Sequence, residues 1–386
     1  MKLKSIKYFD KSINWRLERT EFKDLTLLVG ASGVGKTQIL NAILNLKRIA
    51  DGSSRNGIEW DVEFSTVDDS IYRWKGSFEN KGFEANFVNY SDEENKKNRP
   101  KIISENVFLN GKEVVKRDNK DIIFDGKKTV KLSQQESVIN LLKEEELISP
   151  AYQGFSKIIH DDYAHTMKEF SIVYFKNILR RGVKNLTKKY QSLESIQNSG
   201  EETSVKLFLI YNNDRETFKK IKDLFSDIFP QVEDIKIELL KKDVKGIQPL
   251  FKDIPFIQLK EKGVKDWIHE TNISSGMFRT LMHISELYLC AEGTVILIDE
   301  FENSLGINCI DELTEDLLNS RRKLQFIITS HHPYIINNIS YENWKLVTRK
   351  AGTVRTHDAQ EFNIGKSKHD AFIQLINLDE YKTGIE

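Results

Sequence analysis

The chain has 386 residues, with 58 Lys plus Arg against 58 Asp plus Glu, so its formal net charge is zero. This balance gives no basic excess of the kind that dedicated nucleic-acid binders carry. Two cysteines are too few for a disulfide framework, and they indicate a reducing compartment. No stretch approaches the roughly 20 apolar residues of a membrane span, and the first residues lack a signal peptide's apolar run. We therefore expect a soluble, cytoplasmic protein.

The first part of the chain predicts strands around a single helix. Alternating or continuous apolar runs predict strands over Lys2–Phe9, Ile13–Glu21 and Leu25–Val29, and a glycine-rich turn and a helix follow. Further antiparallel strands are predicted over Ile58–Thr66, Ile71–Phe78 and Phe83–Tyr90. The dipeptides Asn110-Gly111 and Asp125-Gly126 are typical of hairpin turns.

The pattern becomes mainly helical from Gln134 to about Phe229, and from Thr294 it alternates strand and helix. Alternating strands and helices indicate a parallel sheet with crossover helices. We predict an N-terminal lobe over residues 1–133, a mainly helical insertion over 134–260 and a C-terminal lobe over 261–386.

A glycine-rich loop carries the clearest chemical signal. It fits the pattern of Gly, four residues and Gly-Lys-Thr, directly after a strand and before a helix. Its glycines allow backbone N–H groups to surround a phosphate at a helix N-terminus. The Lys would reach the β- and γ-phosphates of a nucleotide, and the Thr hydroxyl would bind Mg²⁺. The residues of this phosphate loop are Gly30, Ala31, Ser32, Gly33, Val34, Gly35, Lys36 and Thr37.

A second signal is the apolar run from Thr294 to Ile298, which ends in Asp299 and Glu300. Parallel sheets bind their ligands at the carboxyl ends of the strands. Together with the phosphate loop, these acids form a Walker B motif. Asp299 would hold Mg²⁺, and Glu300 would polarise the attacking water.

Ile273-Ser274-Ser275-Gly276-Met277 opens a predicted helix shortly before the Walker B strand. It resembles the signature motif of ABC-type ATPases, in the Ser-Ser-Gly form of the SMC, RecF and OLD-like groups. It departs from the usual Leu-Ser-Gly-Gly-Gln at positions 273, 275 and 277. The resemblance implies that Ser274, Ser275 and Gly276 bind the γ-phosphate of ATP held by another subunit.

Three further segments fit the same resemblance. Phe301-Glu302-Asn303-Ser304-Leu305 is similar to the D-loop of OLD-like proteins, although Gly306 replaces the usual His. Thr329-Ser330-His331-His332-Pro333 is similar to the switch-histidine loop, which implies that His331 senses the γ-phosphate, with the neighbouring His332 as the alternative. In Lys131–Glu136, Gln134 and Gln135 are candidates for the Q-loop, and we assign Gln135 as a further Mg²⁺ ligand.

Two further clusters of polar residues carry weaker functional signals, and a solvated surface explains each of them. His160-Asp161-Asp162 with His165 has residue types found in metal sites, but a solvated helix face is the preferred interpretation. Basic residues at Arg180-Arg181, Lys184 and Lys188-Lys189 would suit a phosphate backbone or an acidic partner surface, but again a solvated helix face is favoured.

The resemblance implies an α/β fold, an ABC ATPase head with a P-loop NTPase core, an antiparallel β subdomain and a helical insertion. It implies an ATPase that uses ATP and Mg²⁺ in a head-to-tail homodimer or higher homo-oligomer. The chain resembles the ATPase subunits of anti-phage systems such as PARIS and Septu. We therefore expect a nucleotide-dependent switch or scaffold for a separate nuclease or toxin, because too few residues follow His332 for a TOPRIM nuclease domain. The alternatives are a RecF-like ATPase that binds DNA ends or gaps, and a scaffold that hydrolyses little ATP.

Overall fold

The computed structural model describes residues 1–87, 98–161, 183–239, 255–302, 322–365 and 368–385. Within these ranges, no helix combines the length and the apolar character needed to cross a membrane.

The strands of the described residues are β1 (Lys2–Asp10), β2 (Trp15–Glu21), β3 (Leu25–Val29), β4 (Ile58–Ser65), β5 (Ile71–Phe78), β6 (Ile102–Leu109), β7 (Lys112–Arg117), β8 (Ile122–Phe124), β9 (Lys127–Lys128), β10 (Ile158–Asp161), β11 (Val232–Leu239), β12 (Pro255–Glu261), β13 (Ile268–His269), β14 (Val295–Ile298), β15 (Gln325–Thr329), β16 (Trp344–Lys350) and β17 (Thr353–Asp358).

The α-helices of the same residues are α1 (Lys36–Ala50), α2 (Val138–Leu141), α3 (Ser149–Ser156), α4 (Val183–Lys189), α5 (Leu193–Gln197), α6 (Thr203–Asn213), α7 (Arg215–Ile228), α8 (Ser275–Leu289), α9 (Pro333–Asn338), α10 (Lys368–Asn377) and α11 (Asp379–Thr383).

Most strands join one large mixed sheet with the order β10-β14-β15-β3-β16-β17-β2-β1-β4-β5-β6-β7-β8-β9. Its first five strands run parallel to their neighbours, and the run from β2 to β9 is antiparallel. This combination of a parallel core and an antiparallel subdomain is the predicted fold class.

An aromatic cluster forms the centre of the antiparallel half. Phe155 of α3 is fully buried, and its ring lies edge-on to the rings of Phe64 and Trp74, with both centroid distances 5.1 Å. Trp60 packs against Trp74 at the same centroid distance of 5.1 Å. Helix α1 covers the adjoining core with Ile39, Leu40, Ile43 and Leu46, which recur at helical spacing and are fully buried.

Local signals identified most elements correctly, but some predictions were wrong. Residues Phe83–Phe87 form a 3₁₀ helix instead of the predicted strand, and the remainder of Phe83–Tyr90 lies outside the described residues. His160 and Asp161 belong to strand β10, not to a helix face. The three-stranded sheet β11-β12-β13 was not predicted.

The chain divides into two compact units. The first comprises residues 1–161, 292–301 and 321–386, and the second comprises residues 162–291 and 302–320. The first unit combines separate stretches of the chain, because β10, β14 and β15 join the large sheet from distant positions in the sequence. Inside the second unit, α8 packs against α6 and α7.

Replacing Phe155 by Ala should lower the free energy of unfolding by about 3–5 kcal/mol, because a buried aromatic ring is lost and a cavity remains. Chemical denaturation measures the loss. Gln153→Ala, at an exposed position of the same helix, is the matched control and should change stability by less than about 0.5 kcal/mol. A loss below about 1 kcal/mol for Phe155→Ala would contradict the described core.

Candidate functional site

The phosphate loop takes the shape that its glycines predict. Strand β3 is completely buried, and the chain leaves it at Gly30, whose φ is 142°. A Cβ at Gly30 would lie 2.6 Å from the Val347 carbonyl oxygen, so only glycine fits. Gly33 and Gly35 also have positive φ, of 81° and 109°, and Gly35 caps α1. The loop therefore delivers the N-terminus of α1 to the carboxyl edge of the sheet.

Lys36 is buried, with 6% of its surface exposed, and its ammonium group donates hydrogen bonds to loop carbonyls. The distances from Nζ are 2.8 Å to the Gly30 oxygen and 2.9 Å to the Ala31 oxygen. The ammonium group thus lies inside the loop. There it can exchange its hydrogen bonds to these carbonyls for hydrogen bonds to a bound anion. Thr37, the next residue, is exposed at the start of α1.

The Walker B acids end a neighbouring strand of the same edge. Strand β15 lies between β14 and β3 and is parallel to both, with Ile328 opposite Ile298 on one side and Leu27 on the other. Asp299 therefore emerges beside the carboxyl end of β15, one strand away from the phosphate loop.

Thr329, the last residue of β15, connects the strand ends by hydrogen bonds. Its hydroxyl donates to Asp299 Oδ1 at 2.6 Å and accepts from the Glu300 N–H at 2.7 Å. Its carbonyl accepts from the Phe301 N–H at 3.0 Å. Glu300 has a left-handed backbone, with φ 47°, and an exposed side chain. Thr329 was part of the predicted switch loop, but this bridging contact was not predicted.

The two adjacent histidines have different environments. His332 Nδ1 accepts a hydrogen bond from the Tyr334 N–H at 3.2 Å, so His332 caps helix α9. His331 is half-buried, and it directly follows Ser330, which is fully buried at the end of β15. The capping contact gives His332 a structural role through Nδ1, and His331 stays the predicted phosphate sensor.

The signature residues open helix α8 in the second unit. Ser274 is the N-cap, and its hydroxyl accepts from the Met277 N–H at 3.3 Å. Ser274 and Ser275 are exposed and Gly276 is half-exposed. Ile273 is buried beneath them, which anchors the turn. The motif is therefore an accessible helix N-terminus, as a contact with a second molecule requires.

Gln135 is not brought to the phosphate loop. The carboxylate of its neighbour Glu136 lies 3.4 Å from the Cβ position of Gly52, beyond the far end of α1. Helix α1 runs from Lys36 to Ala50, a length of about 22 Å at 1.5 Å per residue. A glutamine side chain does not span that distance to Thr37. The geometry therefore argues against Gln135 as a Mg²⁺ ligand.

The segment around Gln135 is held at this distant position by the buried pair Glu105 and Arg117. Arg117 donates to the carbonyls of Ser133 and Glu136 at 2.8 and 2.7 Å. Glu105 accepts from the Ser137 hydroxyl at 2.5 Å. Burial raises the pKa of Glu105, while Arg117 and these hydrogen bonds oppose that rise.

Strand β10 instead supplies the next neighbour of the Walker B strand, and sequence reasoning missed it. It is parallel to β14, with Asp161 opposite Ile298, so its backbone ends beside Asp299. The available signal was Ile158-Ile159 followed by polar residues, which repeats the apolar-to-acidic transition of β14. Asp162 and His165 lie outside the described residues, and among those described no group of metal-ligating side chains is found.

A sequence profile of a family described as "AAA domain, putative AbiEii toxin, Type IV TA system" matches residues 25–337. The chain belongs to this family. The comparison with curated proteins finds no match.

Solved structures show the same fold. An Smc head bound to the C-winged helix domain of ScpA has a TM-score of 0.51 and 16% identity, over 92% of this chain and 98% of that one. The Smc head of Pyrococcus furiosus, with an extended coiled coil and bound to the C-terminal domain of ScpA, has a TM-score of 0.50 and 13% identity, over 92% and 96%. The chain therefore has the fold of the Smc head, an ABC ATPase head of the P-loop NTPase class.

Thr329→Val should lower the free energy of unfolding by about 1–3 kcal/mol, because the Glu300 N–H and the Asp299 carboxylate lose their shared partner. Thr329→Ser keeps the hydroxyl and is the matched control. Denaturant titration of both variants measures the difference. Equal losses for Val and Ser would show that the hydroxyl bridge contributes nothing.

Gln135→Ala should leave the affinity for Mg-ATP within about twofold of the wild-type value, because the neighbouring Glu136 lies at the opposite end of α1 from the phosphate loop, a helix about 22 Å long. Asp299→Ala is the comparison variant, and it should weaken binding by at least about tenfold when Mg²⁺ is present. Isothermal titration calorimetry measures both. A tenfold loss for Gln135→Ala would restore its assignment as a ligand.

Proposed function

We propose that this chain binds Mg-ATP at the phosphate loop and hydrolyses it. The observation that carries the proposal is that the phosphate loop, Asp299 and the His331 segment follow the carboxyl ends of three adjacent parallel strands, β3, β14 and β15. Family membership and the ABC ATPase head fold support the same activity.

The residues present fit a magnesium-bound triphosphate. The loop is shaped by glycines, one of them at a position where a Cβ would collide with backbone, and it holds a buried ammonium group. When ATP binds, Lys36 exchanges its two carbonyl partners for phosphate oxygens. The exposed Thr37 hydroxyl and the Asp299 carboxylate would hold Mg²⁺, which neutralises charge on the phosphates.

Glu300 and His331 would act on the reacting end of the nucleotide. The Glu300 carboxylate is exposed next to Asp299, where it can accept a hydrogen bond from a water and orient that water. Its backbone N–H is fixed by Thr329, which restricts the position of the carboxylate. His331 would donate a hydrogen bond to the γ-phosphate and so report its presence.

The active form we propose is a head-to-tail homodimer. Ser274 and Ser275 are exposed and Gly276 is half-exposed at the N-terminus of α8, and such a terminus favours an anion. In the dimer, this anion is the γ-phosphate of ATP on the opposite chain. ATP binding then closes the dimer and hydrolysis opens it, so the nucleotide acts as a switch.

The switch would act in the cytoplasm on a separate protein effector, a nuclease or toxin, in anti-phage defence. The family description names a putative toxin of a type IV toxin–antitoxin system, which supports a role in such a system. The Smc heads that share the fold were solved with a domain of a second protein, ScpA, bound to them, which supports partner binding by this architecture.

Glu300→Gln should keep ATP binding and accumulate a closed dimer, because only the group that polarises water is lost. Lys36→Ala should lose the nucleotide and remain unchanged in mass. Native mass spectrometry with and without Mg-ATP, alongside phosphate release, measures both effects. We expect at least about a hundredfold loss of turnover in Glu300→Gln.

Hydrolysis by Glu300→Gln at the wild-type rate would disprove its assignment as the catalytic carboxylate. A nucleotide-free wild-type protein at millimolar Mg-ATP would contradict the proposed function itself. Salt-sensitive DNA binding that strengthens with ATP would instead favour a RecF-like role in repair.

A further inference from the structure

The last described residues of the chain lie against the phosphate loop. Helix α11 is capped at its C-terminus by Gly384, whose φ is 70° and whose N–H donates to the Glu380 carbonyl at 2.9 Å. A Cβ at Gly384 would lie 2.2 Å from Val34 Cγ1 and 3.2 Å from Ala31 Cβ. Gly384 therefore touches the middle of the loop, and both its backbone conformation and this contact require glycine.

Arg349 joins the same contact from the end of β16. Its backbone N–H donates to the Gly384 carbonyl at 2.7 Å, which fixes α11 to the sheet. Its guanidinium Nε donates to the Ala351 carbonyl at 2.8 Å, and Nη1 lies 3.5 Å from the Gly33 carbonyl oxygen. The last distance is at the outer limit of a hydrogen bond, but the charge still attracts the carbonyl dipole.

These contacts control the orientation of one peptide group of the loop. In a trans peptide, the carbonyl of Gly33 and the N–H of Val34 point in opposite directions. Arg349 lies on the side of the Gly33 carbonyl, so the Val34 N–H points away from Arg349. Gly384 meanwhile packs on the Val34 side chain, which is buried with 4% exposed. Both contacts oppose rotation of this peptide group.

We propose that Arg349 and Gly384 are positioning residues that hold the phosphate loop in its anion-binding shape and thereby set its affinity for nucleoside diphosphates and triphosphates. This inference rests on the proposed nucleotide binding. Neither residue belongs to the loop itself, and both act through Gly33, Val34 and Ala31.

The first test compares Gly384→Ala with Gly126→Ala in the full chain. Both glycines have similar positive φ values, 70° and 75°, but a Cβ at Gly126 meets nothing within 4 Å. The control therefore carries the backbone strain without the collision. We expect Gly384→Ala to raise the Kd for Mg-ADP by at least about tenfold, since small displacements of positioned groups are costly. Gly126→Ala should leave it unchanged.

The second test uses Arg349→Ala and Arg349→Lys, with exposed Lys350→Ala as the neighbouring control. Lysine keeps the charge but lacks the fork that reaches two carbonyls at once, so it should recover only part of the affinity. We expect the wild type to bind Mg-ADP most tightly, Arg349→Lys less tightly and Arg349→Ala least tightly. Melting temperatures without nucleotide are recorded in parallel, because a purely structural role would lower them and leave the Kd of the folded protein unchanged.

The outcomes separate the two claims. If the wild type binds Mg-ADP and the Gly384 and Arg349 variants bind equally well, the positioning role is wrong and the proposed function stands. If the wild type does not bind Mg-ADP, the proposed function fails and this inference fails with it. If Gly384→Ala does not fold, the Arg349 series decides the question.

Discussion

The parallel pairing of β14, β15 and β3 is the constraint on which the candidate site depends. Because β15 is hydrogen-bonded to both neighbours, the strands end side by side, and Asp299, Thr329 and Gly30 meet at one edge. Thr329 then fixes the Walker B backbone through its hydroxyl and its carbonyl. The chemistry assigned to Glu300 and Lys36 needs this shared edge, since neither strand alone brings a carboxylate near the phosphate loop.

A second constraint comes from the antiparallel half of the sheet. Glu105 and Arg117 are buried together, and they bind the segment from Ser133 to Ser137 through its backbone and hydroxyl groups. Removing one member of a buried charged pair leaves the other charge buried without a partner. A substitution of Glu105 or Arg117 would therefore lower the stability of the fold. The pair fixes the segment of Gln135 at the far end of α1, a long-range placement that the sequence of the Lys131–Glu136 segment does not indicate.

Local patterns were enough for some parts of the site and not for others. The glycine spacing from Gly30 to Gly35 and the apolar run of β14 specify loop and strand directly, so both were predicted from the sequence. Strand β10 was missed because its four residues are stabilised by pairing with β14, which is distant along the chain. The contact of Gly384 with Val34 likewise joins distant parts of the chain, and no local sequence pattern predicts it.

The central claim, an ATP site shared between two chains, is tested most directly by mixing two inactive variants. Lys36→Ala lacks a working phosphate loop, and Ser274→Arg blocks the exposed N-terminus of α8. When the two chains pair at random in an equimolar mixture, half of the dimers are mixed, and each mixed dimer contains one intact site of two. The account predicts that ATPase activity returns to about a quarter of the wild-type rate. No activity in a mixture whose dimers are shown to exchange chains would contradict the shared site.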